Sequence, residues 1–298
     1  MKLDVITWNI NFIHDNWFER LDNINKILER EVEKTDIIAI QEATLPFNNK
    51  IMELHSFLKN NNIKYFGDSL LERNFIYKYI LEKFPKYKKY AYSTFEYLMN
   101  KLMWVGAYIF SKWGEQIKSL YFKYPYIFFI ICLFVFPLAS IWWFIGLLTI
   151  VNKDIKTVVK SKYIGNRIIQ YFDFIYNNKE IRCVNVHLPP GKTDKARKKR
   201  SNEMKEIIEF SENKKNVIIM GDFNDTRKTD MYKQLKKGGY KNAVYNVMGE
   251  DLNTFPCVKP IECIDYVMVK GDIKIKSASL FGNSKASDHK GIKVRLDV

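Results

Sequence analysis

Val217-Ile218-Ile219-Met220-Gly221-Asp222-Phe223-Asn224 is a short, largely β-branched run that breaks into a polar turn. An apolar run this brief, closed by glycine, reads as a buried strand rather than a helix. Asp222 and Asn224 stand two apart just past its apolar part, so on extended backbone they point to the same side. A strand end is where an α/β scaffold can hold a side chain rigidly and still expose it to a cleft. Residues 5–8, 37–40, 107–110, 167–174, 181–186, 264–269 and 292–296 also read as strands. Between them, residues 17–32 (Leu21, Ile24, Ile27, Leu28), 48–58 and 195–210 (Met204, Ile207, Ile208) repeat their apolar positions with helical spacing. A mixed α/β chain follows, with no internal repeat and no low-complexity linker to divide it.

With 298 residues, 47% hydrophobic and 15% aromatic, the chain is neither disordered nor fibrous and has to bury a substantial core. Lys and Arg number 48 against 33 Asp and Glu, and the net charge of +15 predicts attraction to polyanions: nucleic acid, phosphorylated substrates or an anionic membrane. Cys132, Cys183, Cys257 and Cys263 form no CxxC pair, and the first residues lead into a strand without an apolar leader. The expectation is a reducing, non-secreted setting.

Residues 125–151, PYIFFIICLFVFPLASIWWFIGLLTIV, contain no Asp, Glu, Lys or Arg. About 20 apolar residues suffice to span a bilayer, and a globular helix normally keeps a polar stripe. The run is therefore expected to contact a membrane. It falls between strands of one sheet-forming chain, so a single crossing would separate the halves of any shared site. A hairpin that returns to the same face is the consistent geometry. Pro137 supplies a turn. The halves 125–136 and 138–151 would reach only about 18 and 21 Å as helices, short of the roughly 30 Å of hydrocarbon. Flanking lysines (Lys112, Lys118 and Lys123 before; Lys153, Lys156, Lys160 and Lys162 after) place both ends on the cytoplasmic face, and Trp142 and Trp143 suit the headgroup level.

Five segments put proton-transferring or metal-capable groups at strand ends: Thr7-Trp8-Asn9, Gln41-Glu42, Val186-His187-Leu188, Gly221-Asp222-Phe223-Asn224 and Ser287-Asp288-His289. Two of the four histidines of the chain lie in them. Singly, each is more often a solvated turn residue or a satisfied strand histidine. In this order, and with Ile264-Asp265-Tyr266, the series resembles the endonuclease/exonuclease/phosphatase superfamily, which has the deoxyribonuclease I-like fold. The resemblance covers the chain from Leu3 to Val298 apart from the apolar run. It implies a four-layer sandwich, two packed mixed β-sheets flanked by helices, over residues 1–298, with 125–151 as an inserted apolar membrane hairpin. It also implies phosphoester hydrolysis with Mg²⁺ or Mn²⁺.

The residue types make chemical sense of that activity. A hard divalent cation takes oxygen ligands and usually one or two carboxylates, which suits Glu42 with the amide oxygen of Asn9. Its charge would act on a phosphoryl oxygen. His289 is the candidate base, with Asp265 fixing its tautomer. Of Asp222 and Asn224, one can hold the attacking water while the other binds a non-bridging oxygen. The resemblance further implies that His187 contacts the scissile phosphate and that Asp288 stands near the metal. Asn11 replaces a carboxylate that many relatives carry, and Cys263 replaces an arginine before Ile-Asp-Tyr.

The apolar run favours a lipid phosphodiester or phosphorylated headgroup. Residues 106–112 and Tyr124-Pro125-Tyr126 are similar to part of the neutral sphingomyelinases. A nuclease is the competing reading, because Lys192, Lys195, Arg197, Lys198, Lys199, Arg200 and Lys205 crowd residues 192–205 and suit nucleic-acid phosphates as well as anionic lipid. A third reading, a catalytically silent membrane-tethered binding protein, would fit loss of the site residues, but all are present.

Overall fold

The computed structural model describes residues 2–11, 17–44, 64–68, 145–152, 154–165 and 167–298. Among the described residues, twelve strands form two six-stranded mixed sheets. The first sheet has the order β11-β12-β1-β2-β4-β3, with β1 Lys2–Asn9, β2 Ile37–Thr44, β3 Lys64–Asp68, β4 Ile145–Val151, β11 Lys274–Phe281 and β12 Gly291–Asp297. The second has the order β5-β6-β7-β8-β10-β9, with β5 Lys160–Ile164, β6 Arg167–Tyr176, β7 Lys179–His187, β8 Asn216–Asp222, β9 Lys241–Asn242 and β10 Asp265–Lys270. The helices among the described residues are α1 Trp17–Val32, α2 Asp194–Phe210, α3 Asp230–Lys237 and α4 Ala243–Met248.

Three apolar clusters set the layers. Leu3, Val5, Ile37, Ala39, Cys183, Ile218, Met220 and Val267 pack between the sheets. Ile6, Trp8, Ile38 and Ile40, the alternate residues of the same strands, turn outward against Ile24 and Leu28 of α1. Val184, Val217, Ile219 and Met268 likewise face Met204 and Ile207 of α2 and Met231 and Leu235 of α3. The period-2 alternation of each strand thus feeds two cores, and the order is helix, sheet, sheet, helices.

The apolar run requires a correction. Ile145–Val151 is β4, a strand between β2 and β3. Leu148 and Ile150 pack on the α1 side and Val151 between the sheets. A strand covered on both faces reads as an unbroken hydrophobic run, so the lack of a polar stripe did not mark lipid contact there. The expected second half of the hairpin, 138–151, therefore ends as core. Residues 125–144 lie outside the described residues, as do the expected strand 107–110, the expected helix 48–58 and the stretch 106–112. No helix among the described residues is long and apolar enough to cross a membrane.

Toward one end of the inter-sheet core the apolar layer gives way to a buried polar one. Gln41 Nε2 donates to Asn185 Oδ1 at 2.8 Å, Asn185 Nδ2 donates to Thr149 Oγ1 at 3.2 Å, and Thr149 Oγ1 donates to Gln170 Oε1 at 2.6 Å. These bonds cross from sheet to sheet and satisfy side chains whose burial would otherwise be costly.

Candidate active site

Continuing each inner face past that polar layer brings the next residues of several strands together. Leu3, Val5 and Thr7 lead to Asn9; Ile181, Cys183 and Asn185 lead to His187; Ile218 and Met220 lead to Asp222. Asp265 starts β10 directly opposite Asp222 in the antiparallel ladder. Glu42 breaks the alternation. Its φ of 54° lies in the left-handed region, and the register of β2 against β4 slips between Gln41 and Ala43. The bulge re-aims a glutamate that regular pairing would point away from the inter-sheet edge.

Gly221 permits the approach of β7 to β8. At φ 149°, a Cβ there would sit 1.9 Å from the carbonyl oxygen of Val186, so only glycine fits.

Asn9 Nδ2 donates to Asp222 Oδ2 at 2.9 Å and to Glu42 Oε1 at 3.2 Å, while its Oδ1 accepts the Asn11 N–H at 2.9 Å. The amide thus presents its nitrogen to the carboxylates, the reverse of the oxygen expected at the metal. His187 Nε2 lies 3.8 Å from Glu42 Oε1 and 3.7 Å from Asp222 Oδ2. Asn224, with a φ of 51°, donates its backbone N–H to Asp222 Oδ1 at 2.7 Å and its Nδ2 to Leu188 O at 2.9 Å, so it positions Asp222. His289 Nδ1 is 2.9 Å from Asp265 Oδ2, and its Nε2 is 4.0 Å from both Asp222 Oδ2 and Asp288 Oδ1. All eight residues expected from sequence are brought to this one edge.

Electrostatics separates the two histidines. Burial pushes His187 down to about 3, helped by the positive charges of Arg167 and His289, so its ring is neutral. Burial also opposes protonation of His289, but the carboxylates of Asp265, Asp222 and Asp288 outweigh it and raise the ring to about 10. Asp222 rises to about 7, through burial and then repulsion from Asp265. A raised pKa favours the protonated imidazole, which makes His289 a candidate acid beside the role of base expected from sequence. The nearby acid carrying a suitable pKa is Asp222.

Several residues that hold the site were not singled out from sequence. Arg20 of α1, buried, donates from Nη2 to Ile10 O (2.7 Å), Asn11 O (2.8 Å) and Ala286 O (3.0 Å), clamping the loop after β1 to the loop before β12. Ser287 Oγ donates to Asn9 O and accepts the His289 N–H. Thr254 Oγ1 accepts the N–H groups of Ile264 and Asp265. Arg167, first in β6, carries the charge felt by His187, Glu42 and Asp222. Of the basic run 192–205, Arg200 is not available to a ligand: it is buried, with Nε 3.0 Å from Asp225 Oδ2 and Nη1 donating to Pro189 O.

The model of the endonuclease/exonuclease/phosphatase family matches residues 6–289. The chain belongs to this family. Its fold is shared with a family member from Bacteroides vulgatus at 15% identity, covering 100% of this chain and 99% of that one with a TM-score of 0.63. It is also shared with D. rerio TDP2 humanized by 14 mutations (12% identity, 100% and 99% covered, TM-score 0.62). A third similar structure is D. rerio TDP2 complexed with single-strand DNA product (11% identity, 100% and 99% covered, TM-score 0.62). No curated protein sequence matches the chain. Family members are generally phosphoester hydrolases and commonly use divalent metal ions, and the fold of this chain is that of the family's phosphoesterases and nucleases.

Proposed function

We propose that the protein is a divalent-metal-dependent phosphoester hydrolase that works at this sheet edge. The observation that carries the reading is the Asp265–His289 pair, 2.9 Å apart, held 4.0 Å from a buried Asp222 that Asn9 and Asn224 orient.

The donor set fits a hard cation. Asp288 Oδ1 and Asp265 Oδ1 are buried without a hydrogen-bond partner, and such orphaned carboxylate oxygens call for a cation or a proton. Glu42 and Asp288 would hold the ion, with Asn9 joining once its amide turns its oxygen inward. Bound there, the ion supplies charge neutralisation on the phosphoryl group. Asp222 takes the proton from the attacking water, whose oxygen forms the new bond to phosphorus as the ester oxygen leaves. Protonated His289, fixed by Asp265, donates to the oxygen on which negative charge grows. Neutral His187 donates from Nε2 to a non-bridging oxygen.

The test is hydrolysis of bis(p-nitrophenyl) phosphate with Mg²⁺ or Mn²⁺, with and without chelator. Asp222→Asn and His289→Ala should each lower kcat by at least about a hundredfold. Chelator-resistant turnover, or full activity in either variant, would remove the reading.

Membrane attachment is also part of the proposal. Residues 125–144 are uncharged, and β3 and β4, which flank the segment containing them, are neighbours in one sheet. That adjacency supports a segment that leaves and returns on one face. Nucleic acid is the second substrate class, favoured by the single-strand DNA product in the D. rerio TDP2 structure and by the net charge.

A further inference from the structure

Val258 is 75% exposed and Ile261 is 71% exposed. With Ile175, they are the most exposed large hydrophobic residues among the described residues. Ile175 sits near the end of β6 that pairs with the start of β7, at the other end of β7 from His187. Val258 and Ile261 instead share one short loop beside the catalytic edge. Single exposed aliphatics need no explanation, but two on one loop tip do.

The base of that loop is pinned to the site. Phe255 and Glu262 exchange backbone hydrogen bonds at 3.0 and 2.9 Å, and the Cys257 N–H donates to Asp288 O. The Lys290 N–H donates to Thr254 O at 2.8 Å, and the Phe255 ring lies 4.8 Å from the His289 ring. Asn253 Nδ2 donates to Pro260 O, bracing the tip. Basic residues stand in and beside the loop. Lys259 stands exposed between Val258 and Ile261, and Lys192, bonded to Glu262 at 2.7 Å, links the loop to the exposed Lys195, Arg197 and Lys198.

We propose that the loop 256–261 is a membrane-contact element that seats the catalytic edge on an anionic lipid surface, so that the phosphoester it receives is lipid-borne. This rests on the hydrolase reading and names its substrate class. An aliphatic tip with Lys259 in it and a basic run tied to its base matches an interface in which methyl groups enter the acyl boundary while ammonium groups meet anionic headgroups. A nucleic acid would be better met by aromatic faces or arginine, and the tip offers neither.

The test uses the full chain with an environment-sensitive fluorescent residue in place of Val258. Vesicles of phosphatidylserine and phosphatidylcholine should blue-shift its emission, and spin labels on the acyl chains should quench it. Phosphatidylcholine alone should give a weaker response. Ile261→Glu in the labelled protein should raise the lipid concentration needed for half-maximal quenching by at least about tenfold, since apolar burial sets such partitioning. Hydrolysis of bis(p-nitrophenyl) phosphate should stay unchanged in that variant. An unshifted and unquenched probe, or quenching indifferent to Ile261→Glu, overturns the proposal. A shift produced by a single-stranded oligonucleotide and not by vesicles overturns it in favour of nucleic acid. Loss of the hydrolase reading would appear only in the soluble-substrate assay, so the two failures are distinguishable.

Discussion

Replacing residues 145–151 with a Gly/Ser stretch of equal length removes β4 from the interior of the first sheet. Leu147, Leu148, Ile150 and Val151, all at most 5% exposed, go with it. Each such side chain is worth about 1.5–3 kcal/mol, so the four together contribute roughly 6–12 kcal/mol. That is comparable with the whole stability of a typical domain, about 5–15 kcal/mol. The loss also strips β2 and β3 of their shared neighbour and leaves Asn185 without its Thr149 partner. The replaced protein should show no cooperative thermal transition by circular dichroism and no hydrolysis of bis(p-nitrophenyl) phosphate. Replacing residues 125–144 with a linker of the same length should preserve both. A 145–151 replacement that melts cooperatively within about 5 °C of the parent would refute the placement of this strand in the core.

The pH profile of kcat/KM should be bell-shaped. Asp222 accepts a proton only when ionised, so the rate climbs as pH rises through about 7, and it falls once His289 loses its proton near 10. A profile flat from pH 6 to about 8 would count against Asp222 as base. At position 42, Glu42→Gln should abolish turnover and leave stability nearly unchanged. Glu42→Asn should abolish turnover yet raise the unfolding free energy by about 1 kcal/mol, because asparagine tolerates the left-handed backbone; denaturant titration decides it. Arg20→Met should cost about 2–4 kcal/mol in the same titration and lower kcat, since the carbonyls of Ile10, Asn11 and Ala286 lose their shared donor.

Strand-end polar groups were legible because inner-face alternation carries straight from Val5 and Thr7 to Asn9 and from Met220 to Asp222. The outer-face period of α1 was equally plain. What escaped has physical causes. β4 lacks alternation because both its faces are covered, and it merged into the apolar run before it. The outermost strands β5 (KSKYI) and β11 (KIKSASLF) are solvated edges whose lysines and serines hide their strand character. α4, at six residues, is too short to show a period. Arg20 acts on backbone carbonyls, one of them at the distant Ala286, and leaves no local motif. How many carboxylates crowd His289, and so which protonation state its ring favours, is not revealed by spacing. Arg200 belonged to a basic run by sequence, and only its burial against Asp225 removes it.

The pairing of β1 with β12, in which Lys2 meets Asp297, has a bearing on biosynthesis. β1 waits for β12, with every other described strand emerging in between. Until then, the backbone groups on one side of β1 have no native partner, a slow non-local closure of the kind that invites wrong pairing. A growing or truncated polypeptide short of residue 291 should therefore lean on chaperones, even though its second sheet is already complete in sequence.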